Sequence, residues 1–304
     1  MLTLPFSAMG CQMLAVLDRE DDRATERLAR APGWFAVWER HLSRFRADSE
    51  LARLNQADGQ AVRVSPTLAA ALAVALEAAD LSGGLVTPTL LAALEAAGYD
   101  RSFSELVPEQ AAQPMLPPTS VDWRQIQLDR ATRLVTLPRG LRLDLGGTAK
   151  GWAANAALRR LSQVGPVLID AGGDIAVSGA MADGGPWSIA IASPFSETEQ
   201  LGMLQLASGA VATSGRDYRR WRQGGRMQHH LIDPRTGRPA ETDLLTVTVV
   251  AASCSLAETA AKVALILGSR AGLAWIEARP GLAGLLVLED GRVVRSRRLV
   301  RFLA

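Results

Sequence analysis

The chain has 304 residues, 48% of them hydrophobic and 21% charged, with a net charge of +2. This composition supports a sizeable core and excludes a disordered chain. The near-neutral balance, with no long run of one sign, excludes nucleic-acid or membrane-surface binding driven by charge. The length fits one large domain or two intimate lobes, and with no clear linker residues 1–304 read as a single domain.

Cys11 and Cys254 are the two cysteines, far apart and in no CxxC or CxxH pattern. Two buried thiols in a reducing compartment are the simplest reading. The first twenty residues lack a basic leader followed by an apolar core, and no apolar run reaches the roughly 18–20 residues of a membrane span. The expectation is a soluble, cytoplasmic protein without membrane insertion. Of the 33 basic residues only Lys150 and Lys262 are lysines. A lysine in so arginine-rich a chain points to a need for a compact ammonium, which a guanidinium does not imitate.

In chain order, a strand is predicted at Cys11–Leu17 and a helix at Asp22–Arg30, broken near Pro32. Trp34, Val37, Trp38 and Leu42 recur at helical spacing. Ser49 caps a short helix, and Ser65-Pro66 opens a longer one, Thr67–Leu81, with Leu68, Leu72 and Leu76 as its stripe and Gly83-Gly84 as its stop. Thr89–Ala97 is a further helix. Residues 104–120, rich in Pro, Gln and Ala, read as a surface loop.

Strands follow at Ile126–Leu128, Leu134–Leu137 and Leu141–Leu143. DLGGTAKG and a helix, Trp152–Ser162, come next, then a strand Val167–Asp170. Further strands are Trp187–Ala192, Leu201–Leu206, Val211–Thr213 and Leu244–Ala251. Helices Leu256–Leu267, capped by Ser255, and Ala271–Ala278 precede a terminal hairpin turning at Asp290-Gly291. Early helices, later mixed elements and short hairpins give an α+β class, with antiparallel or mixed sheets and flanking helices.

Five segments carry chemistry. DLGGTAKG sets Gly146 and Gly147 before Lys150 at a helix start, where close backbone approach, a helix N-terminus and an ammonium all favour phosphate; a plain glycine-rich turn accounts for it equally. It is neither a P-loop nor, with DAGGD, a Rossmann fingerprint. In DAGGD, Gly172, Gly173 and Asp174 form a second turn, ligand-facing or merely tight. Thr213, Ser214 and Gly215 of ATSG offer hydroxyls for phosphate or for a turn cap. In HHLIDPRTG, His229 or His230 beside Asp233 suits a general base or an oriented donor; no GxSxG elbow supports a hydrolase triad. In SLAETAAK, Glu258 and Lys262 stand four apart on one helix face, an ion pair in the favourable order.

In this order the segments, with MGC at the start, SRFRADSELARLN, the SGG turn before TPT and the helix ending LILG, resemble the ApbE-type FAD:protein FMN transferases over nearly the whole chain. The resemblance implies a mixed α/β domain related to the tunnelling folds, FAD as substrate and a divalent cation, usually magnesium. It implies transfer of FMN to a Ser or Thr hydroxyl of an acceptor protein bearing a flavinylation motif, with release of AMP. It places Met9 near the flavin, the Ala149 carbonyl on the metal and Lys150 toward the nucleotide. Gly146, Gly147 and the DAGGD residues become binding positions. Thr213, Ser214 and Gly215 line the phosphates, with Thr213 also catalytic, and His230 takes part in proton transfer or phosphate contact.

One helix departs from the pattern. The family's Asp and the Thr or Asp four residues later, which bind the metal, are here Glu258 and Lys262. A protonated lysine does not ligate a cation. The expectation is that the Lys262 ammonium, catalytic in this role, occupies the metal's place. Two other functions fit the same motifs: an FAD-binding carrier or sensor without transferase activity, and an FAD pyrophosphatase giving FMN and AMP.

Overall fold

The computed structural model describes residues 1–107, 109–111 and 122–304. They form two compact units, one of Met1–Ala36, Lys150–Asp217 and Thr242–Ala304, the other of Val37–Ala149 and Tyr218–Glu241.

The first unit is built on strands Leu2–Ala8 (β1), Cys11–Leu17 (β2), Val167–Ala171 (β3), Asp174–Ser178 (β4), Trp187–Ala192 (β5), Gln200–Leu206 (β6), Gly209–Gly215 (β7), Leu244–Ala251 (β8), Ala283–Leu288 (β9) and Val293–Arg295 (β10). Eight of them make one antiparallel sheet in the order β1-β2-β3-β4-β7-β8-β9-β10, and β5 pairs with β6. Two-residue turns close the neighbouring hairpins: Met9-Gly10 at φ 51° and 68°, Gly172-Gly173 at φ 68° and 89°. Positive φ at both central residues is the turn whose twist matches that of the strands, which is why glycine stands there.

The β5–β6 pair covers one face of the sheet. Trp187, Ile189 and Ile191, on the buried side of a strand that alternates strictly in and out, pack with Val177, Val211 and Leu285. Helices Asp22–Ala29 (α1), Ala149–Leu161 (α2) and Cys254–Glu277 (α3) complete the unit. α3 packs along β7, β8 and β9. Its small residues Ala257, Ala260, Ala261 and Ala264 are all buried, so its axis lies close to the strands. By length and composition alone α3 reaches the range of a membrane span, but half of its most apolar stretch is buried inside this unit, as in a core helix.

In the second unit, the helix Pro66–Ser82 is capped by the Ser65 side chain and closed by Gly83 in the left-handed region. Leu94, Tyr99, Trp221 and Ile232 form its aromatic core, where the Trp221 indole donates to the Ala97 carbonyl at 2.8 Å.

The α+β class holds, with mixed sheets and flanking helices. Several boundaries move for physical reasons. Leu141–Leu143 is not a strand, because Asn55 takes both the N–H and the C=O of Leu143. Leu2–Ala8 and Asp174–Ser178 are strands that the sequence reading lacked. The buried stripe of the Ala31–Leu42 helix runs through Phe35, Trp38 and Leu42, leaving Val37 exposed. Cys254 is buried but Cys11 only partly so.

The two helices expected after β8 are one element, broken by non-helical Gly268, where the Asp243 carboxylate accepts the Ser269 N–H at 2.9 Å and caps the second half. Its N-cap is Ser253, not Ser255. Of the segment expected as a loop over 104–120, Phe103–Glu105 is a short 3-10 turn and Glu109–Gln110 a short strand; residues 108 and 112–120 lie outside the described residues.

Candidate active site

The starts of α2 and α3 hold each other. Gly151, in the first turn of α2, donates its N–H to Glu258 Oε2 on α3 at 3.0 Å. In the first turn of α3, Cys254 donates its N–H to Asn155 Oδ1 on α2 at 3.0 Å, and Asn155 Nδ2 donates to Ser255 Oγ at 3.0 Å. Each helix thereby supplies an acceptor for an N–H that the other leaves unpaired in its first turn. Only glycine permits the approach: a Cβ at Gly151 would lie 2.7 Å from Glu258 Oε2 and 3.0 Å from the Cys254 carbonyl carbon and oxygen.

Both lysines of the chain converge on this junction. Lys262 Nζ lies 3.0 Å from Glu258 Oε1, one helical turn away. Lys150, next to Gly151, forms an ion pair with Asp174, and its Nζ is 3.7 Å from the same Glu258 oxygen. Glu258 is fully buried and Asp174 nearly so.

Burial disfavours the Lys150 ammonium, but Asp174 and Glu258 outweigh it and hold the group above the ordinary lysine range. Burial also pushes the Asp174 carboxyl up, to about 6, because the ammonium groups only partly oppose it and the Glu258 charge adds to it. At Glu258, burial is outweighed by Lys262, Lys150 and the Gly151 N–H, which hold the carboxyl below its usual value. Burial, with both carboxylates nearby, drives the Cys254 thiol well up, so it stays protonated and inert.

Strand register places the remaining expected residues of this unit. Asp174 pairs with Ala212, so Ser214, two residues further along β7, points to the same side of the sheet. Thr213 points to the other side, where its hydroxyl meets that of Thr248 at 2.9 Å. Of the two ATSG hydroxyls, only that of Ser214 shares a sheet face with Asp174. The Gly172-Gly173 turn adjoins Asp174 and lies against Cys11, which follows the Met9-Gly10 turn; Asp170 secures it by accepting the Gly173 N–H at 2.7 Å. Met9, Gly172, Gly173 and Asp174 therefore lie at one end of the sheet.

Gly146, Gly147, Ala149 and His230 belong to the second unit. Gly146 donates to Asp144 at 3.0 Å, and the Leu145 carbonyl accepts from Thr148 and Ala149, so the glycines form a tight entry into α2. That helix begins at Ala149, earlier than the expected Trp152. His229 is buried, Nε2 on the Ala240 carbonyl at 3.2 Å and Nδ1 accepting the Leu231 N–H at 3.3 Å, while His230 is half-buried. Asp233 does not orient a histidine: its carboxylate is held by the Arg235 guanidinium, at 2.9 Å from Nε and 2.7 Å from Nη2.

The residues do not fit a divalent cation at Glu258. Each of its oxygens already accepts from a donor of the chain, and among the described residues no group of three or more His, Cys, Asp or Glu gathers to hold a metal. At about 4 Å and an effective dielectric of about 20, each ammonium would repel a dication by about 8 kcal/mol, which offsets the attraction of a carboxylate at the same distance, so the two lysines cancel the pull of Asp174 and Glu258.

Residues 9–286 match the ApbE family model. The chain belongs to the ApbE family. An FAD:protein FMN transferase of Treponema pallidum is 34% identical over 85% of this chain and 76% of its own length. Another, from Vibrio cholerae, is 30% identical over 78% and 72%. Among solved structures, an ApbE protein of Thermotoga maritima shares the fold with a TM-score of 0.87 at 23% identity, over 100% of this chain and 99% of that one. The flavin transferase ApbE of Vibrio cholerae superposes with a TM-score of 0.80 at 25% identity, over 99% of both chains.

Sequence reasoning missed Gly151 and Asn155 as site-builders. The sequence carried no clear signal for either: with the helix expected from Trp152, Gly151 read as part of the preceding turn, and only the observed start at Ala149 puts a glycine inside the helix, where it marks a close approach.

Proposed function

We infer that this ApbE chain is an FAD:protein FMN transferase. The observation that carries the reading is the similarity, over 85% of the chain, to the Treponema pallidum protein of that name. In the reaction, an acceptor Ser or Thr oxygen attacks the flavin-side phosphorus of FAD. The bond from that phosphorus to the bridging oxygen breaks, AMP leaves, and a base takes the hydroxyl proton. Negative charge grows on the phosphate oxygens, and fixed N–H donors and cations stabilise it.

The residues divide by task. Within the first unit, Met9 and the Gly172-Gly173 turn are proposed to border the flavin and Ser214 to contact the phosphates; Thr213, on the other face of the sheet with its hydroxyl on Thr248, is not assigned to them. Lys262 supplies the charge, while Lys150, already bound to Asp174 and Glu258, positions them. Within the second unit, His230 is proposed to accept the proton, and the Gly146-Gly147 turn to approach the nucleotide. The magnesium that the resemblance implies has no place in this scheme, and neither the Ala149 carbonyl nor Glu258 is assigned to it. A cytoplasmic location is proposed with the reading, supported by a sequence whose two cysteines stand far apart in no disulfide or metal-binding pattern.

The test is incubation with FAD and a peptide bearing a Ser/Thr acceptor motif. The expected result is a peptide mass gain equal to FMN, with one AMP released. AMP without peptide labelling would assign a pyrophosphatase, and intact bound FAD alone a carrier or sensor.

A further inference from the structure

We propose that Lys262 stands in for the divalent cation, so that this chain binds and activates FAD through an ammonium it carries itself and without a metal. The inference rests on the reading of the chain as an FAD-using transferase.

Four groups make the case. Each Glu258 oxygen already faces a donor of the chain itself: Oε1 lies 3.0 Å from Lys262 and 3.7 Å from Lys150, and Oε2 accepts the Gly151 N–H at 3.0 Å. Asp174 is paired with Lys150. The cluster therefore holds two positive and two negative side chains, so the two ammonium groups already balance the carboxylates that would otherwise draw in a dication.

The two lysines are not equivalent. Lys150 is bound to two carboxylates. Among the described residues Lys262 has one acceptor, Glu258 Oε1, for its three N–H donors, and its side chain keeps 13% of its surface open. A mostly buried lysine with donors to spare suits an anionic oxygen. It is also a point charge like a metal ion, whereas a guanidinium is a broad planar fork. In a chain whose other basic residues, apart from Lys150, are all arginine, the compact cation stands where a compact cation is needed.

In the transfer step Lys262 then acts as a catalytic residue. It donates hydrogen bonds to the pyrophosphate oxygens as the phosphorus–oxygen bond to AMP breaks.

The experiment uses the full chain, dialysed against EDTA, with FAD binding followed by flavin fluorescence. Magnesium at millimolar concentration is expected to change the wild-type Kd by less than threefold. Lys262→Met is expected to weaken binding at least tenfold while retaining the wild-type circular dichroism. The magnesium arm needs no variant, so it stands even if Lys262→Met fails to fold. A larger gain in wild-type affinity from magnesium would overturn the proposal. So would a folded Lys262→Met chain that binds FAD normally, or a magnesium or manganese ion coordinated by Glu258 in soaked crystals. A wild type that binds no FAD under either condition would overturn the transferase reading as well, which separates the two failures.

Discussion

The Gly151 amide donates to Glu258 Oε2 at 3.0 Å, across 107 positions of sequence. This bond ties the start of one helix to the first turns of another, and it fixes the carboxylate on which both lysines converge. Most of what distinguishes this site depends on that contact.

Gly151→Ala tests it directly. In an isolated helix the change would stabilise by about 1 kcal/mol. Here the new Cβ would lie 3.0 Å from the Cys254 carbonyl, and backbone cannot swing aside as a side chain does. The overpacking term of about 1–3 kcal/mol should win, giving a net loss in chemical denaturation. An unchanged or raised melting temperature would show that the helices are not this close.

Glu258→Gln leaves two ammonium groups facing one fewer charge in a buried site. Removing one partner of a buried pair costs about 3–5 kcal/mol, so the single variant should be strongly destabilised. Adding Lys262→Met removes one of the stranded cations. The double variant should therefore be more stable than Glu258→Gln alone, a coupling that a double-mutant cycle in denaturant reads.

Asp174 gives the stability a pH signature. Its carboxyl, raised by burial to about 6 from 3.8, binds a proton more tightly in the folded chain than in the unfolded one. Its contribution is full below pH 3.8 and is lost as pH rises through about 6, with a slope of at most about 1.4 kcal/mol per pH unit. Glu258, held below its usual 4.5, works in the opposite sense and loses its contribution as pH falls beneath that value. Melting curves from pH 4 to 7 should show the Asp174 component in the wild type. In Asp174→Asn that component should vanish from the pH dependence, even though the variant is less stable overall.

The capping serines separate by position. Ser253 accepts the Leu256 N–H and caps α3, so Ser253→Ala should lose about 1 kcal/mol. Ser255→Ala removes the partner of Asn155 Nδ2 but leaves the Asn155 bond to Cys254 intact, and should lose less. Equal losses by thermal denaturation would contradict the assignment of the cap.

By itself the sequence determined the family, the α+β class and the order of the segments. Those properties are carried by local patterns: the period-two strand at Trp187–Ala192, the helix capped at Ser65 and stopped at Gly83, the paired glycines at 172 and 173. It also singled out Lys150 and Lys262 by their rarity among arginines.

Which groups meet was decided only by the tertiary structure. Lys150 pairs with Asp174 because α2 and β4 come together, and Asp233 turns to Arg235 instead of a histidine. The break around Gly268, capped by Asp243, and the loss of the Leu141–Leu143 strand likewise depend on contacts from elsewhere in the chain. Periodicity reports which side of an element is apolar. It carries no record of which distant donor will satisfy a helix end or a buried carboxylate, because that is set by packing and strand register.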